Sequence, residues 1–444
     1  MHSLLLLLAA GCGDVTINVD AEKNDSGAVP DSGDSASDDT GLVDDTGETG
    51  SGLDVWEGGG AWSAEDPTVV YSLDDGTVFE GIWIRDVTSD AKEDIVIVTC
   101  TYAADYASGV RSVRTYPGDG RGGFSAEITT VGNPADVCGG GVALGDIDGD
   151  GALDVVGPFA GGIAVFFGSS GGFTSDVGID RGYFGGGLSG VVDLDGDGAD
   201  ELLVWSADSA ANQYTEFLRW NGSGVSPITP LTSWYPYVGA YGISLYPTVL
   251  FEYDAEGDGR QEGLMAGIGR TLGQDWAMLG LGSGASLSVQ DNFIYPRYST
   301  DGVMYGAGVD LDGDGEDELV TGGDDGLQVY DPSTRLRAQI YRQNTDYTRG
   351  SFLVAGNLNG DEHPDVVELV ADSAAGEVDA IVSTHLGNGV DLDAPAQVRL
   401  PISVGQETWR TLAMGDLSED NCGDVAFTGG YPLSVYVMLG SCGR

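Results

Sequence analysis

The sequence predicts an all-β protein, a seven-bladed β-propeller of four-stranded antiparallel blades, on three observations. Glycine is abundant, with 73 of the 444 residues, which favours tight turns over helices. An acidic nine-residue pattern followed by an apolar strand recurs seven times, starting at Asp86, Asp146, Asp193, Asp254, Asp310, Asn357 and Asp416. These starts lie 47 to 61 residues apart, which is typical of propeller blades.

Each repeat has the same order of short apolar segments. In the second repeat, residues 142–144 lead into the acidic pattern, residues 154–156 leave it, and residues 163–167 form a third strand. The seventh repeat has the same order but lacks a fourth strand. The apolar segment at residues 68–73, before the first repeat, can supply that strand. We therefore expect it to complete the last blade and close the ring.

The acidic pattern, which we call loops 1 to 7 in chain order, offers the oxygen ligands that calcium prefers. Side-chain oxygens at loop positions 1, 3, 5 and 9, with the carbonyl at position 7, can surround one ion. Glycines at positions 4 and 6 allow the turn. Strands rather than helices flank the loops, so they are not EF-hands. Magnesium is disfavoured because it prefers few carboxylates and several waters.

The loops differ in how many ligands they carry. Loops 2 to 5 have four carboxylates and both glycines: Asp146, Asp148, Asp150 and Asp154; Asp193, Asp195, Asp197 and Glu201; Asp254, Glu256, Asp258 and Glu262; Asp310, Asp312, Asp314 and Glu318. Loops 1, 6 and 7 are weaker: Asp86, Thr88, Asp90 and Asp94; Asn357, Asn359, Asp361 and Asp365; Asp416, Ser418, Asp420 and Asp424. The alternative, polar turns without metal, would leave carboxylates crowded together. We expect several calcium ions, bound most strongly at loops 2 to 5.

These repeats resemble the FG-GAP and VCBS families, whose best-known members are the seven-bladed propellers of integrin α subunits. The pattern Asp-x-Asp-Gly-Asp-Gly-x-x-Asp is present in loop 2, and with a final Glu in loops 3 and 5. The resemblance implies that each loop joins the first two strands of a blade and binds calcium, and that ligands bind the opposite face. Integrin-type ligand recognition is not implied, since the Phe-Gly and Gly-Ala-Pro elements of that family are poorly matched.

The N-terminus resembles a bacterial lipoprotein signal over residues 1–11. An apolar run at residues 4–8 precedes Ala9-Ala10-Gly11 and then Cys12, the expected lipidation site. The alternative is an ordinary signal peptide with a chance cysteine. Residues 12–60 hold thirteen acidic residues and one Lys, and they cannot bury enough apolar surface to fold. We expect them to form a disordered linker between the lipid and a propeller at residues 61–444. No apolar run is long enough for a transmembrane helix.

The remaining four cysteines form an even set in a chain that we expect to be exported, which predicts two disulfides. Cys100 ends a second strand and Cys138 precedes the next first strand, so both lie at the end opposite the loops. Cys422 lies in loop 7 and Cys442 follows the third strand of the same blade. Because crossed pairs would span the blade, we expect Cys100–Cys138 and Cys422–Cys442.

The charge and the residue types argue against several functions. Lys and Arg number 18 against 71 Asp and Glu, for a net charge of −53, so nucleic acid and anionic membrane surfaces are disfavoured as ligands. The three histidines, His2, His363 and His385, form no catalytic pattern, and no nucleophile, zinc or phosphate motif is present. We therefore expect no enzyme, and a membrane association through the lipid alone.

Aromatic residues at the end opposite the loops suggest a binding surface for a protein or a glycan, because flat rings with polar tips suit both. The candidates are Tyr102, Tyr106, Trp205, Tyr214, Trp234, Tyr235, Tyr237 and Tyr298. The alternative is that these rings pack between blades. The sequence thus favours a calcium-stabilised adhesion or binding module on the bacterial cell envelope, at the outer membrane or cell surface. The alternative function is a carbohydrate-active enzyme, a glycosidase or a polysaccharide lyase on a propeller.

We predict that Cys12→Ser abolishes lipid labelling and releases the protein from membranes, because the thiol is the acceptor of the lipid. Metabolic labelling with a fatty acid and membrane fractionation measure the two effects. Membrane retention of the serine variant at the level of the unaltered protein would contradict the assignment.

Overall fold

The structure is a computed structural model, and the part of the chain that it describes belongs to the compact unit Leu53–Arg444. It describes residues 62, 67–73, 76–103, 108–133, 136–139, 141–180, 184–193, 196–207, 213–230, 247–254, 262–269, 273–282, 286–294, 306–323, 326–331, 335–341, 352–372, 379–393, 396–403, 412–430 and 433–442. The predicted signal, Cys12 and the linker lie outside these residues. Among the described residues, no helix has the length and apolar character needed to cross a membrane.

The described strands confirm the all-β prediction and form seven four-stranded antiparallel sheets. We number each sheet after the loop that it contains. Sheet 1 comprises β2 (Thr77–Arg85), β3 (Asp94–Tyr102), β4 (Gly109–Tyr116) and β5 (Ile128–Val131). Sheet 2 comprises β6 (Ala143–Gly145), β7 (Asp154–Phe159), β8 (Gly162–Phe166) and β9 (Val177–Asp180). Sheet 3 comprises β10 (Phe184–Val192), β11 (Glu201–Ala207), β12 (Gln213–Trp220) and β13 (Val225–Pro230).

The other four sheets have the same order. Sheet 4 comprises β14 (Pro247–Tyr253), β15 (Glu262–Gly269), β16 (Gly273–Gly282) and β17 (Ser286–Ile294). Sheet 5 comprises β18 (Gly306–Val309), β19 (Glu318–Gly323), β20 (Gly326–Asp331) and β21 (Arg335–Tyr341). Sheet 6 comprises β22 (Phe352–Gly356), β23 (Asp365–Asp372), β24 (Asp379–His385) and β25 (Ala396–Ser403). Sheet 7 comprises β26 (Leu412–Gly415), β27 (Asp424–Gly429), β28 (Ser434–Met438) and β1 (Thr68–Ser72).

The N-terminal strand completes the last sheet, as the sequence predicted. Strand β1 pairs antiparallel with β28, with Thr68 opposite Val437 and Ser72 opposite Ser434. The hydroxyls of the two serines form a hydrogen bond of 2.8 Å. Since the two ends of the fold share one sheet, separating them requires this ladder to break.

Apolar residues pack between consecutive sheets. The described side chains of the second strands are mostly buried on both faces, and β3 carries Ile95, Val96, Ile97 and Val98 without accessible surface. Ile95 and Ile97 pack in a cluster with sheet 7, whereas Val96 and Val98 pack with Val155 and Phe166 of sheet 2. A strand that packs against two neighbouring sheets favours apolar residues on both faces, which explains the largely hydrophobic runs that follow the loops.

Both predicted disulfides are present. Cys100–Cys138 joins the end of β3 to the segment before β6, and the Cα atoms are 5.5 Å apart. Cys422–Cys442 joins loop 7 to the segment after β28, with Cα atoms 5.7 Å apart. The first bond therefore connects two sheets, and the second connects loop 7 to the last described residues of the chain.

A buried arginine beside the first disulfide joins sheets 1 and 2. Arg111 on β4 has no accessible surface, and its Nε donates to Glu80 Oε2 at 2.7 Å. Its other nitrogens donate to the carbonyls of Pro158 and Val137, and Nη1 lies 3.4 Å from Asp136 Oδ1. The guanidinium thus forms ion pairs with two buried carboxylates and hydrogen bonds with two carbonyls, and these groups come from three segments.

We predict that Arg111→Met lowers the free energy of unfolding by about 3–5 kcal/mol, because it leaves Glu80 and Asp136 buried without their cation. Arg85 on the same sheet is exposed, so Arg85→Met is the matched control and should cost less than about 1 kcal/mol. Chemical denaturation of the three proteins at one calcium concentration measures the difference. Equal losses for both variants would show that the buried network contributes nothing specific.

Candidate metal centre

All seven loops occupy the same place in their sheets. The first strand of each sheet ends one residue before loop position 1, and the second strand starts at position 9, as β6 ends at Gly145 and β7 starts at Asp154. The candidate ligands therefore lie at one end of each sheet, between its first two strands. Of the candidates, Asp195, Glu256 and Asp258 lie outside the described residues.

The carboxylate at position 1 organises the turn. In loop 2, Asp146 Oδ1 accepts the main-chain N–H groups of Gly149 at 2.8 Å and Asp150 at 3.1 Å, and Oδ2 accepts that of Gly151 at 2.8 Å. Asp193 in loop 3 and Asp310 in loop 5 accept the same three N–H groups. These bonds bend the loop back over its first residue, which brings positions 3 and 5 towards position 1.

The carboxylate at position 9 is buried and ties the loop to the third strand. Asp154 Oδ2 accepts the N–H of Ile147 at loop position 2, and Oδ1 accepts that of Gly168, which follows the third strand, at 2.7 Å. The same glycine contact occurs in loops 1, 6 and 7, where Gly118, Gly387 and Gly440 donate to Asp94, Asp365 and Asp424. The acidic pattern predicts position 9 only as a ligand and does not indicate this anchoring role. Its sequence signal is the glycine after the third strand.

Three carboxylates converge in loops 2 and 5. In each, one oxygen from positions 1, 3 and 9 lies within 4.8 Å of the others: Asp146, Asp148 and Asp154, and Asp310, Asp312 and Glu318. Among the described residues these are the two clusters made of carboxylates alone. Hard oxygens at this spacing fit calcium, and the remaining ligands would come from position 5 and the position 7 carbonyl.

Burial raises the pKa of the carboxyl at position 9 in loops 1, 2, 6 and 7. The pKa of Asp154 rises to about 7, mainly because it is buried and further because Asp148 and Asp146 are close. The pKa of Asp424 also rises to about 7, and those of Asp94 and Asp365 rise, in each case mainly through burial. Ionised carboxylates in these positions cost free energy unless a cation compensates them, which supports the fit of a divalent ion.

Loops 1 and 7 keep the turn although they lack its glycines. In loop 7 the replacements Glu419 and Asn421 have φ of 53° and 64°, and in loop 1 Ser89 and Ala91 have φ of 60° and 65°. The corresponding glycines of loop 2, Gly149 and Gly151, have φ of 71° and 87°. Left-handed backbone costs an L-residue about 1–2 kcal/mol. The residues that stand in place of glycine at positions 4 and 6 of loops 1 and 7, which we expected to weaken these loops, therefore strain the turn but do not change its shape.

Other loops contain groups that compete with an ion. In loop 3, Arg219 on β12 forms a hydrogen-bonded ion pair with Glu201, and its Nη1 lies 3.7 Å from Asp197 Oδ2. In loop 6, the amide of Asn359 donates to Asp361 Oδ2 at 2.8 Å. Sequence spacing cannot detect Arg219, which comes 18 residues after Glu201 and reaches the loop only through the pairing of β11 with β12.

Three of the aromatic candidates lie in described strands, at the ends away from the loops. Tyr102 ends β3 and is half-buried, Trp205 lies near the end of β11, and Tyr214 lies near the start of β12. The other five, Tyr106, Trp234, Tyr235, Tyr237 and Tyr298, lie outside the described residues. The strand bounds thus agree with the predicted location of Tyr102, Trp205 and Tyr214.

His385 is a buried strand residue. It lies at the end of β24 with 1% of its surface accessible, and its Nε2 is 4.0 Å from Oε2 of the equally buried Glu368. The other described histidine, His363, is half-buried at position 7 of loop 6, where only its carbonyl is a candidate ligand. Burial keeps the His385–Glu368 pair from contacting a substrate in solution.

Comparison with known proteins supports the fold. No family model and no curated protein matches the chain. A crystal structure of BBS1N in complex with ARL6DN matches with a TM-score of 0.51 and 11% identity, over 87% of this chain and 99% of that one. A lectin from Agrocybe aegerita that recognises non-reducing terminal N-acetylglucosamine matches with a TM-score of 0.46 and 16% identity, over 79% of this chain and 88% of the lectin. The first likeness supports a β-propeller-like fold.

We predict that the calcium-free protein melts at a lower temperature as the pH rises from 5.5 to 8. Burial holds the pKa of Asp154 at about 7 in the folded protein, above its ordinary value of 3.8, so its contribution to stability is complete below 3.8 and is lost as the pH rises through about 7. Asp154→Asn should reduce this slope, and saturating calcium should remove it because the ion favours the ionised carboxylate. Calorimetry in chelator and in calcium measures both effects.

The control for this experiment is Asp119→Asn. Asp119 is fully exposed, and N–H groups of Gly123 and Arg121 lower its pKa, so its replacement should leave the slope unchanged. A chelated protein with a constant melting temperature over this range, or an Asp154→Asn variant with the full slope, would contradict the assignment.

Proposed function

We propose that this chain is a calcium-stabilised binding module, a seven-bladed propeller of the FG-GAP and VCBS type held at the bacterial cell envelope by a lipid on Cys12. The observation that carries the proposal is the convergence of three carboxylates in loops 2 and 5, each with a buried position 9. The seven four-stranded sheets and the shared sheet 7 support the blade count and the closed ring.

Calcium would supply the positive charge that loop 2 lacks. Loop 2 brings together Asp146, Asp148 and Asp154 with no Lys or Arg in the nine-residue pattern, and the chain as a whole carries a net charge of −53. A bound divalent ion neutralises two charges at each loop and fixes the turn that joins the first two strands. We rank loops 2 and 5 first, and we place loop 3 below them because Arg219 already pairs with Glu201.

The end opposite the loops is the proposed ligand surface. It carries Tyr102, Trp205 and Tyr214 at strand ends, together with the Cys100–Cys138 bond and the buried Arg111 network, which hold sheets 1 and 2 in place. A rigid base with aromatic residues at its strand ends suits a protein or glycan ligand. We propose no catalysis, since the buried His385–Glu368 pair does not reach solvent.

Calcium should raise the melting temperature of the chain in a concentration-dependent manner. An ion that binds only the folded protein adds about 2.7 kcal/mol per site at a hundredfold excess over its Kd. Asp148→Ala and Asp312→Ala should each remove one ion, whereas Asn359→Ala should change calcium binding little because Asn359 already bonds Asp361. Calorimetric titration counts the sites. A chelated protein that melts at the same temperature as the loaded one would refute the calcium proposal.

A glycan array and a pull-down from envelope material, each with calcium and with chelator, test the binding function. We expect a ligand that is retained in calcium and lost in chelator, and that is weakened by Trp205→Ala. An assay for sugar release from every bound glycan tests the alternative function. Release of sugar by the purified chain would replace the binding module with a carbohydrate-active enzyme.

A further inference from the structure

Carboxylates at loop position 8, which are not part of the ligand set, connect the loops of neighbouring sheets. Asp200 at position 8 of loop 3 accepts the main-chain N–H of Asp146 at position 1 of loop 2, with the Asp146 nitrogen 2.7 Å from Asp200 Oδ2. In return, the Asp200 N–H donates to the Asp146 carbonyl, also at 2.7 Å. The first ligand of loop 2 is thus held from both sides by the next sheet.

The same contact occurs at two other junctions in the described part of the chain. Asp317 of loop 5 accepts the N–H of Asp254 of loop 4 at 2.9 Å and returns its own N–H to the Asp254 carbonyl at 2.8 Å. Glu93 of loop 1 accepts the N–H of Asp416 of loop 7, where the last sheet meets the first. The other four loops have no acid at position 8; they carry Leu153, Gln261, Pro364 and Gly423.

At two of these junctions the residue before position 1 is a glycine, and the absence of a side chain there leaves space for the position 8 carboxylate of the next sheet. A Cβ on Gly145 would collide with Asp200 Oδ2, and one on Gly415 would collide with Glu93 Oε2. The glycine of one sheet and the acid of the next sheet thus form one contact, although about 55 residues separate Gly145 from Asp200 along the chain.

We propose that Asp200, Asp317 and Glu93 are positioning residues that couple cation binding in one sheet to its contact with the next. Each one fixes the main chain at the residue that supplies the first ligand of the preceding loop. A cation bound there reduces the repulsion between that ligand and the position 8 carboxylate, so the ion strengthens the contact between the sheets. By linkage, the contact between the sheets strengthens the binding of the ion by the same factor. Sheets 2 and 3, 4 and 5, and 7 and 1 form the coupled pairs. The inference rests on the proposed calcium binding and deepens it.

The test is a calcium titration of the full chain by calorimetry, with replacements of Asp200. Asp200→Ala should weaken one site about tenfold, since a charge-assisted hydrogen bond is lost. Asp200→Asn keeps an oxygen acceptor and should retain most of the affinity. Asp148→Ala removes the loop 2 ion. In the Asp148→Ala variant, Asp200→Ala should therefore cause no further loss of calcium binding. If Asp200→Ala still weakens calcium binding about tenfold in the Asp148→Ala variant, Asp200 acts on its own loop 3, and the proposal is overturned.

Loop 5 provides a control for charge. Asp317 and Glu316 are adjacent acids, and only Asp317 bonds the preceding loop, so Asp317→Ala should weaken calcium binding more than Glu316→Ala. Equal losses would reduce the effect to general electrostatics and overturn the proposal while leaving calcium binding intact. An unaltered chain that binds no calcium would instead overturn the proposed calcium function and this inference together.

Discussion

A buried carboxylate at position 9 holds loops 1, 2, 6 and 7 in place, and the geometry of these loops depends on it. Asp154, Asp365 and Asp424 are almost inaccessible, and each accepts one N–H from its own loop and one from the glycine after the third strand. Each carboxylate therefore connects three strands of its sheet. Because an ionised group costs free energy when it is buried, the anchor that shapes the loop also favours the cation that we propose there.

Loops 1 and 7 adopt the same turn although their sequences lack the glycines that favour it. Loops 1 and 7 place four L-residues in left-handed backbone, and these two loops meet where the last sheet contacts the first. The surroundings fix them: β1 pairs with β28, Asp416 bonds Glu93, and Cys442 is bonded to Cys422 within loop 7. Strain of this kind persists only where neighbouring contacts outweigh it. In the described part of the chain, the four L-residues with left-handed backbone therefore lie in the two loops at this junction, and additional bonds hold these loops.

The two ends of the sheets use different chemistry. At the loop end, main-chain N–H groups and carboxylates face one another with few basic side chains, Arg219 being an exception. At the opposite end of sheets 1 and 2, one buried arginine serves two carboxylates beside a disulfide. An arginine gives a permanent, rigid contact, whereas a bound ion can leave. The proposed ligand surface therefore lies at the end held by the Arg111 network, and the proposed calcium response lies at the loop end, where the ion can exchange.

The sequence alone determined the features that are local or periodic. The strand order, the loop positions, the strand that completes sheet 7 and both disulfides follow from the repeat, because each repeat has to form the same unit. Tertiary structure decided the contacts between residues far apart in the chain. Arg219 contacts Glu201 through the pairing of their strands, and Asp200 of sheet 3 bonds Asp146 of the neighbouring sheet 2. Arg111 contacts groups from three segments of the chain. A pattern within one repeat specifies its own turn, but it contains no information about which side chain of a neighbouring sheet will fill the space beside it.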